Sequence, residues 1–176
     1  MLTVVTDNPS EAHLFDEATA AELASVFADF DRPCTLCAPT VGRALHDRGI
    51  AATVLDTDLR FADLPGFVRW DLRRPAYLGE EYGVIVCDPP FLGVSLSQLG
   101  AAVSMLARWG GVTPLAITYP ARREGAIWGA LRRYNLWPTG YFPVYRNGAK
   151  AGGDGIQFYA NFESPLWPNE RPERAA

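Results

Sequence analysis

Several simple function classes find no support in this chain. It has three cysteines, an odd number, which argues against a disulfide-stapled secreted fold. The thiols are expected to be reduced, and the expected setting is the cytoplasm. No apolar run approaches the roughly 18 residues that a membrane-spanning helix needs. The opening MLTVVTDNPSEAH has neither a basic start nor an apolar core, so no secretory signal is read in it. The two histidines, His13 and His46, have no partners at ligand spacing, and no metal site is expected. There is no GxGxxG, so a nicotinamide or flavin fingerprint is missing. No Ser–His–Asp order with a nucleophile elbow is present, which leaves hydrolase chemistry unsupported.

What is there suits one ordinary domain. The chain has 176 residues, 48% hydrophobic and 20% charged, enough for a packed core and too apolar for wholesale disorder. The net charge of -4 is uneven: residues 1–39 carry one Arg and seven acids, while residues 40–162 carry thirteen bases and ten acids. Nucleic-acid proteins usually show a strong basic footprint; here it is local at most.

Periodicity predicts a helix over about 16–30, with Leu23, Val26, Phe27 and Phe30 on one face. Four short strands follow, over 34–38, 52–55, 67–70 and 84–87. A helix over 41–48 lies between the first two, with Gly49 as its left-handed end. A helix over 96–109, a strand over 112–118 and a helix over 124–134 continue the alternation. Two strands, 141–146 and 156–162, are then expected to form a hairpin across the Gly-rich RNGAKAGGDG. The Pro-rich, charged tail over 164–176 is expected to be loosely held. Alternating strands and helices imply an α/β fold, a mostly parallel sheet with helices on both faces and antiparallel pairing at its C-terminal end.

In such a sheet ligands bind beyond the carboxyl ends of the strands. Three consecutive strands here end in an acid: Asp56, Asp71 and Asp88. An acid after the second strand can accept both hydroxyls of a ribose, a role for Asp56 with Asp58 as understudy. Asp71 suits an exocyclic amine of adenine. Alone, Asp56 or Asp71 reads better as a solvated strand end or a helix cap; together, at the same end of adjacent strands, they favour a nucleoside ligand modestly.

Asp88-Pro89-Pro90-Phe91 is sharper. Two prolines after a buried strand end its ladder and leave carbonyls free. A carboxylate beside such a carbonyl makes two acceptors for one primary amine. Phe91 offers a flat face for a base or for a lysine stem.

These residues resemble the (D/N)PP(F/Y/W) motif of class I S-adenosylmethionine-dependent methyltransferases that act on amines. Cys37-Ala38-Pro39-Thr40-Val41, the run from Val54 to Phe61 (VLDTDLRF), Phe67 to Asp71 (FVRWD), Tyr82 to Leu92 (YGVIVCDPPFL) and Phe158 to Phe162 (FYANF) are similar to one subgroup. It was first labelled probable adenine-N6 methyltransferases and includes eukaryotic lysine methyltransferases acting on a translation elongation factor. The resemblance covers about residues 15–163. It implies a Rossmann-like fold with a seven-stranded sheet, a single methyltransferase domain over 1–163, and S-adenosyl-L-methionine as cofactor. It implies that Cys37, Ala38, Pro39 and Thr40 replace the usual glycine-rich turn. Asp56 would hold the ribose, Asp71 would lie near the adenine, and Asp88, Pro89, Pro90 and Phe91 would hold the acceptor amine. The subgroup's polar, Asn-containing segment before the last strand is replaced by RNGAKAGGDG, which leaves the acceptor open.

Two acceptors follow, an adenine N6 amine in nucleic acid, with RNA or a single strand favoured, and a lysine of a protein such as a translation factor. A non-catalytic member that binds cofactor or a partner chain is the third reading. Adenine is preferred because Phe91 and the +3 balance of residues 40–162 suit a stacked base. Cys34-Thr35-Leu36-Cys37 reads as buried strand cysteines rather than a redox or zinc pair. Arg122, Arg123, Arg132 and Arg133 read as a solvated helix face with Trp128 inward, and Trp137, Tyr141, Phe142, Tyr145 and Tyr159 as core. Residues 146–155 are either a lid or a plain hairpin.

Overall fold

The computed structural model of the chain describes residues 14–107, 112–146 and 155–173. Its strands are β1 (Pro33–Leu36), β2 (Thr53–Asp56), β3 (Phe67–Arg69), β4 (Val84–Cys87), β5 (Leu115–Pro120), β6 (Trp137–Pro138) and β7 (Ile156–Ala160). They form one sheet in the order β3-β2-β1-β4-β5-β7-β6. The first five run parallel. β7 lies antiparallel between β5 and β6. The strand order reverses between β1 and β4, which is where a doubly wound sheet opens its binding crevice.

Period-two alternation decides which side chain goes to which face. Cys34, Leu36, Ile85, Cys87, Leu115 and Ile117 point to one side. There they meet α3 (Leu96–Leu106) and α4 (Glu124–Ala130) through Leu99, Val103, Leu106 and Ile127. Val84, Val86, Ala116 and Phe158 point to the other, against α1 (Glu17–Phe27) and α2 (Pro39–Asp47) through Leu23, Phe27, Val41 and Leu45. Both clusters are built mainly of apolar side chains, and burial of this kind supplies about 25 cal/mol per Å² of apolar surface.

Local chemistry sets the helix ends. Asp16 caps α1 by accepting the Thr19 N–H at 2.8 Å. Ser95 and Gln98 form a reciprocal capping box on α3. Pro39 opens α2 at its first turn, where a missing N–H costs nothing. Gly49 ends α2 with φ of 76°, and Ile50 N–H reaches back to Leu45 O at 3.0 Å. Gly42 lets α2 lie close on the sheet: a Cβ there would stand 2.4 Å from Val54 Cγ2.

Several expectations need correction. The strand over 141–146 does not form. Its backbone groups are taken by the segment leading into α1: Asp16 N–H donates to Val144 O at 2.9 Å, and Arg146 N–H donates to Leu14 O at 2.9 Å. The segment keeps a bridge from Tyr145 to Phe15 and one bond from Phe158 N–H to Tyr141 O at 2.9 Å, and β7 takes Trp137–Pro138 as its outer partner instead. The helix expected over 124–134 ends at Ala130 and continues as a 3-10 turn, Arg132–Tyr134. Trp128 points outward at 47% exposure, and Ile127 takes the inward position. Phe142 is likewise exposed at 46% rather than in the core. The tail is docked over part of its length: Trp167 is buried and donates to Phe162 O at 3.1 Å, and Asn169 N–H donates to Thr139 O at 2.9 Å. His13, the end of the third predicted helix beyond Ala107, and most of the 146–155 segment lie outside the described residues.

Candidate active site

The parallel register brings the strand-end residues to one level. Leu36 pairs with Leu55 on one side and with Cys87 on the other. The next residues, Cys37, Asp56 and Asp88, therefore stand side by side on the rim. Backbone bonds hold that level: Cys37 N–H donates to Leu55 O at 2.9 Å, and Asp88 N–H donates to Leu36 O at 3.0 Å. β5 extends the row, since Cys87 pairs with Ile117 and Thr118 then faces Asp88. On the far side, Trp70 N–H donates to Asp56 O at 3.0 Å, which places Asp71 just beyond.

Cys37 sits in the middle of these acids. It adopts the left-handed conformation, φ 55°, which turns the chain sharply from β1 into α2. Burial raises its thiol pKa, and the carboxylates of Asp56, Asp88 and Asp71 raise it further. Cys37 is thus a neutral thiol, as are Cys34 and Cys87, whose burial pushes them the same way. Among the described residues no group of three metal-ligating side chains occurs.

Asp88 is the most perturbed acid of the rim. It is 6% exposed. Its Oδ1 accepts from the Thr118 hydroxyl and, at 2.8 Å, from the Tyr145 phenol. Burial pushes its pKa up from 3.8 to about 7; the two hydroxyls pull it down, and Asp56 adds a smaller upward push. Both bonds fall on one oxygen, so Oδ2 is the acceptor on offer. Pro89 is buried and Pro90 half-buried. Phe91, also half-buried, stands edge-on to Tyr119, with ring centroids 6.1 Å apart and planes at 80°.

The other predicted residues have definite places. Asp56 is half-buried, accepts the Asp58 N–H at 2.8 Å, and has its pKa raised by burial. Asp58 turns to Arg60, whose side chain bonds it at 2.6 Å and holds its pKa down. It also caps the short turn Leu59–Phe61. Asp71 accepts the Arg73 N–H at 2.9 Å. Arg73 in turn donates to Gly93 O at 3.0 Å, tying the turn after β3 to the loop after Pro90. Ala38 stands at the head of α2, where no side chain caps the helix. Thr40, the second residue of α2, has a buried hydroxyl without a hydrogen-bond partner.

Three residues escaped the sequence reading: Thr118, Tyr145 and Arg73. Thr118 had a usable signal, because a strand ending at 118 in a parallel sheet must reach the same rim as Asp88. Tyr145 had none, since its alternating surroundings read as core.

A family model described as "Probable N6-adenine methyltransferase" matches residues 7–164. No curated protein matches the chain. Among solved structures, a TehB-like SAM-dependent methyltransferase from Corynebacterium glutamicum is similar at 18% identity and TM-score 0.56, covering 81% of this chain and 85% of its own. The glycopeptide N-methyltransferase MtfA, complexed with S-adenosylmethionine, is 13% identical with TM-score 0.56, over 90% of this chain and 99% of its own. Magnesium protoporphyrin IX methyltransferase from Synechocystis, also with bound S-adenosylmethionine, is 15% identical with TM-score 0.53, over 91% and 85%. At these identities the likeness is one of fold.

Proposed function

We propose that this chain, which belongs to the probable N6-adenine methyltransferase family, methylates the exocyclic N6 amine of adenine in RNA or in a single-stranded target. It is a methyltransferase, and S-adenosylmethionine is its methyl donor. The observation that carries the acceptor reading is Asp88: a buried carboxylate at the rim, with one oxygen held by two hydroxyls and the other free to accept.

The residues present fit the cofactor. Asp56 suits the ribose hydroxyls, as an acid at the end of the second strand does in dinucleotide folds. Asp71 suits the adenine amine. The uncapped head of α2, with the unsatisfied Thr40 hydroxyl, suits the amino-acid end of the ligand, since a helix start offers unpaired N–H groups and positive potential. The bend at Cys37 does the work that glycines do in other nucleotide-binding turns. When bound, the cofactor supplies a sulfonium methyl, transferred as the C–S bond breaks and the thioether sulfur keeps the pair.

The chain's own residues prepare the amine. An adenine amino group is a weak nucleophile because its lone pair is delocalised into the ring. Asp88 Oδ2 and the Pro89 carbonyl accept its two hydrogens and draw the nitrogen towards tetrahedral geometry. The carboxylate then offsets the positive charge that grows on nitrogen as the new N–C bond forms, and it receives the proton released afterwards. Phe91 supplies a face for the base.

A protein lysine is the second acceptor that one observation favours: three carboxylates converge on the rim, which suits an ammonium group. Desolvation beside Phe91 would lower its pKa before attack. The experiment that separates the two is transfer of labelled methyl from the cofactor into cell extract, split into RNA, DNA and protein. Label is expected in RNA; label in protein alone assigns lysine, and label nowhere with cofactor still bound rejects the catalytic reading. Asp56→Ala is expected to weaken cofactor binding about tenfold or more, the loss of a charged acceptor for two hydroxyls. Calorimetry with the demethylated product of the cofactor reads this directly.

A further inference from the structure

We propose that Tyr145 and Thr118 are positioning residues for the methyl acceptor: together they clamp Asp88 Oδ1 so that Oδ2 meets the amine in one orientation. This rests on Asp88 being the amine acceptor group described above. A lone Asp carboxylate turns easily, because its terminal torsion is broad and roughly twofold. Here two donors from separate elements reach the same oxygen. Thr118 comes from β5, next in register to Asp88, and Tyr145 comes from the segment between β6 and β7. Both side chains are buried, Thr118 completely and Tyr145 at 4% exposure.

The phenol is itself held from outside. Phe15, on the approach to α1, bridges Tyr145 in antiparallel fashion, and their rings lie 5.1 Å apart. The backbone bonds from Asp16 to Val144 O and from Arg146 to Leu14 O fix the height of the strand pair. Val144 N–H adds a bond to Thr19 Oγ1 at 3.1 Å. The polar and ionisable groups facing Asp88 are these two hydroxyls, the Asp56 carboxylate from β2, and the thiols of Cys37 and Cys87 from β1 and β4. Asp56 opposes its ionisation, the thiols are neutral, and the two hydroxyls favour the anion. A neutral clamp stabilises the carboxylate without cancelling the charge that the amine needs.

Tyr145→Phe removes one donor and keeps the ring against Phe15. It is expected to raise the midpoint of the acid limb of kcat/KM by about one pH unit. At pH 7 kcat should fall about fivefold, with cofactor affinity held within about twofold. Thr118→Val should do the same, and Thr118→Ser should restore the wild-type limb; this pair keeps the test alive if Tyr145→Phe does not fold. Transfer is followed into bulk RNA, or into the DNA or protein fraction if the label goes there. A packing role alone would lower the melting temperature and leave the limb and kcat in place, and that result overturns the proposal. Asp88→Ala run in parallel tells the two failures apart: an inactive Asp88→Ala with an unmoved limb in the hydroxyl variants sinks the clamp only, whereas an active Asp88→Ala sinks the acceptor assignment beneath it.

Discussion

Asp88→Ala is expected to lower methyl transfer by about 10²–10³-fold, the cost of losing one preorganised electrostatic group at a reacting centre. Cofactor affinity should stay within about twofold of the wild type, because Asp56, Asp71 and the head of α2 are untouched. Asp88→Asn is the stricter variant. Its Oδ1 still accepts from Thr118 and Tyr145, so the side chain keeps its place. Its amide nitrogen then presents hydrogens to an amine that also donates, and the negative charge is gone. Both changes work against a nitrogen that becomes positive, so Asn should transfer more slowly than Asp, although the (D/N)PP(F/Y/W) motif admits it and it should do no worse than Ala. The wild-type rate should also follow the ionisation of this carboxyl. With a pKa of about 7, kcat/KM should fall about tenfold for each pH unit on the acid side. Single-turnover transfer, with cofactor binding measured separately by calorimetry, reads both effects. Turnover in Asp88→Ala equal to the wild type would remove Asp88 from the chemistry.

The fold and half of the site were legible because both depend on short-range pattern. Strands of four residues with acids behind them, and helices between them, imply a parallel sheet, and a parallel sheet sends all its carboxyl ends to one rim. The strand-end pattern alone therefore puts Asp56, Asp71 and Asp88 on one rim. Asp58 was also read as a ribose group; its carboxylate instead bonds Arg60, two residues on, an interaction that a strand-end pattern cannot anticipate. Tyr145 was hidden for another reason. Its partner lies 57 residues away in sequence, and a Tyr among Phe142, Val144 and Arg146 carries the same alternation as a buried strand. That apparent strand failed because its N–H and C=O groups pair with the chain ahead of α1, a contact of high sequence separation. β6 escaped for want of length: two residues, Trp137–Pro138, lie below any window in which periodicity can be counted.

The same buried carboxyl makes the chain less stable as the pH rises through neutrality. Asp88 has a pKa of 3.8 when exposed and about 7 when folded, chiefly because burial disfavours its charged form. Below pH 4 the folded and unfolded chains both hold the proton, and the pair costs nothing. Between pH 4 and 7 the unfolded chain has released a proton that the folded chain keeps, so each step up in pH favours unfolding. Above pH 7 both are ionised and the loss is complete. One pH unit of difference is worth about 1.4 kcal/mol, which makes the full loss of the order of 4 kcal/mol. Asp56, raised by burial as well, acts in the same direction. Asp58, held down by Arg60, acts in the opposite one, losing stability as the pH falls through its lowered pKa. Asp88→Asn removes the Asp88 contribution alone, because Asn does not titrate and still accepts both hydroxyls. Urea unfolding of the two proteins at pH 5 and pH 8 should therefore show the variant gaining on the wild type by about 3 kcal/mol at the higher pH. Parallel curves would mean that Asp88 ionises in the fold as freely as in water, and that the carboxylate which faces the acceptor is not held in a dry rim. A slower enzyme more stable than its parent at pH 8 is the signature of a group kept for chemistry at the expense of the fold.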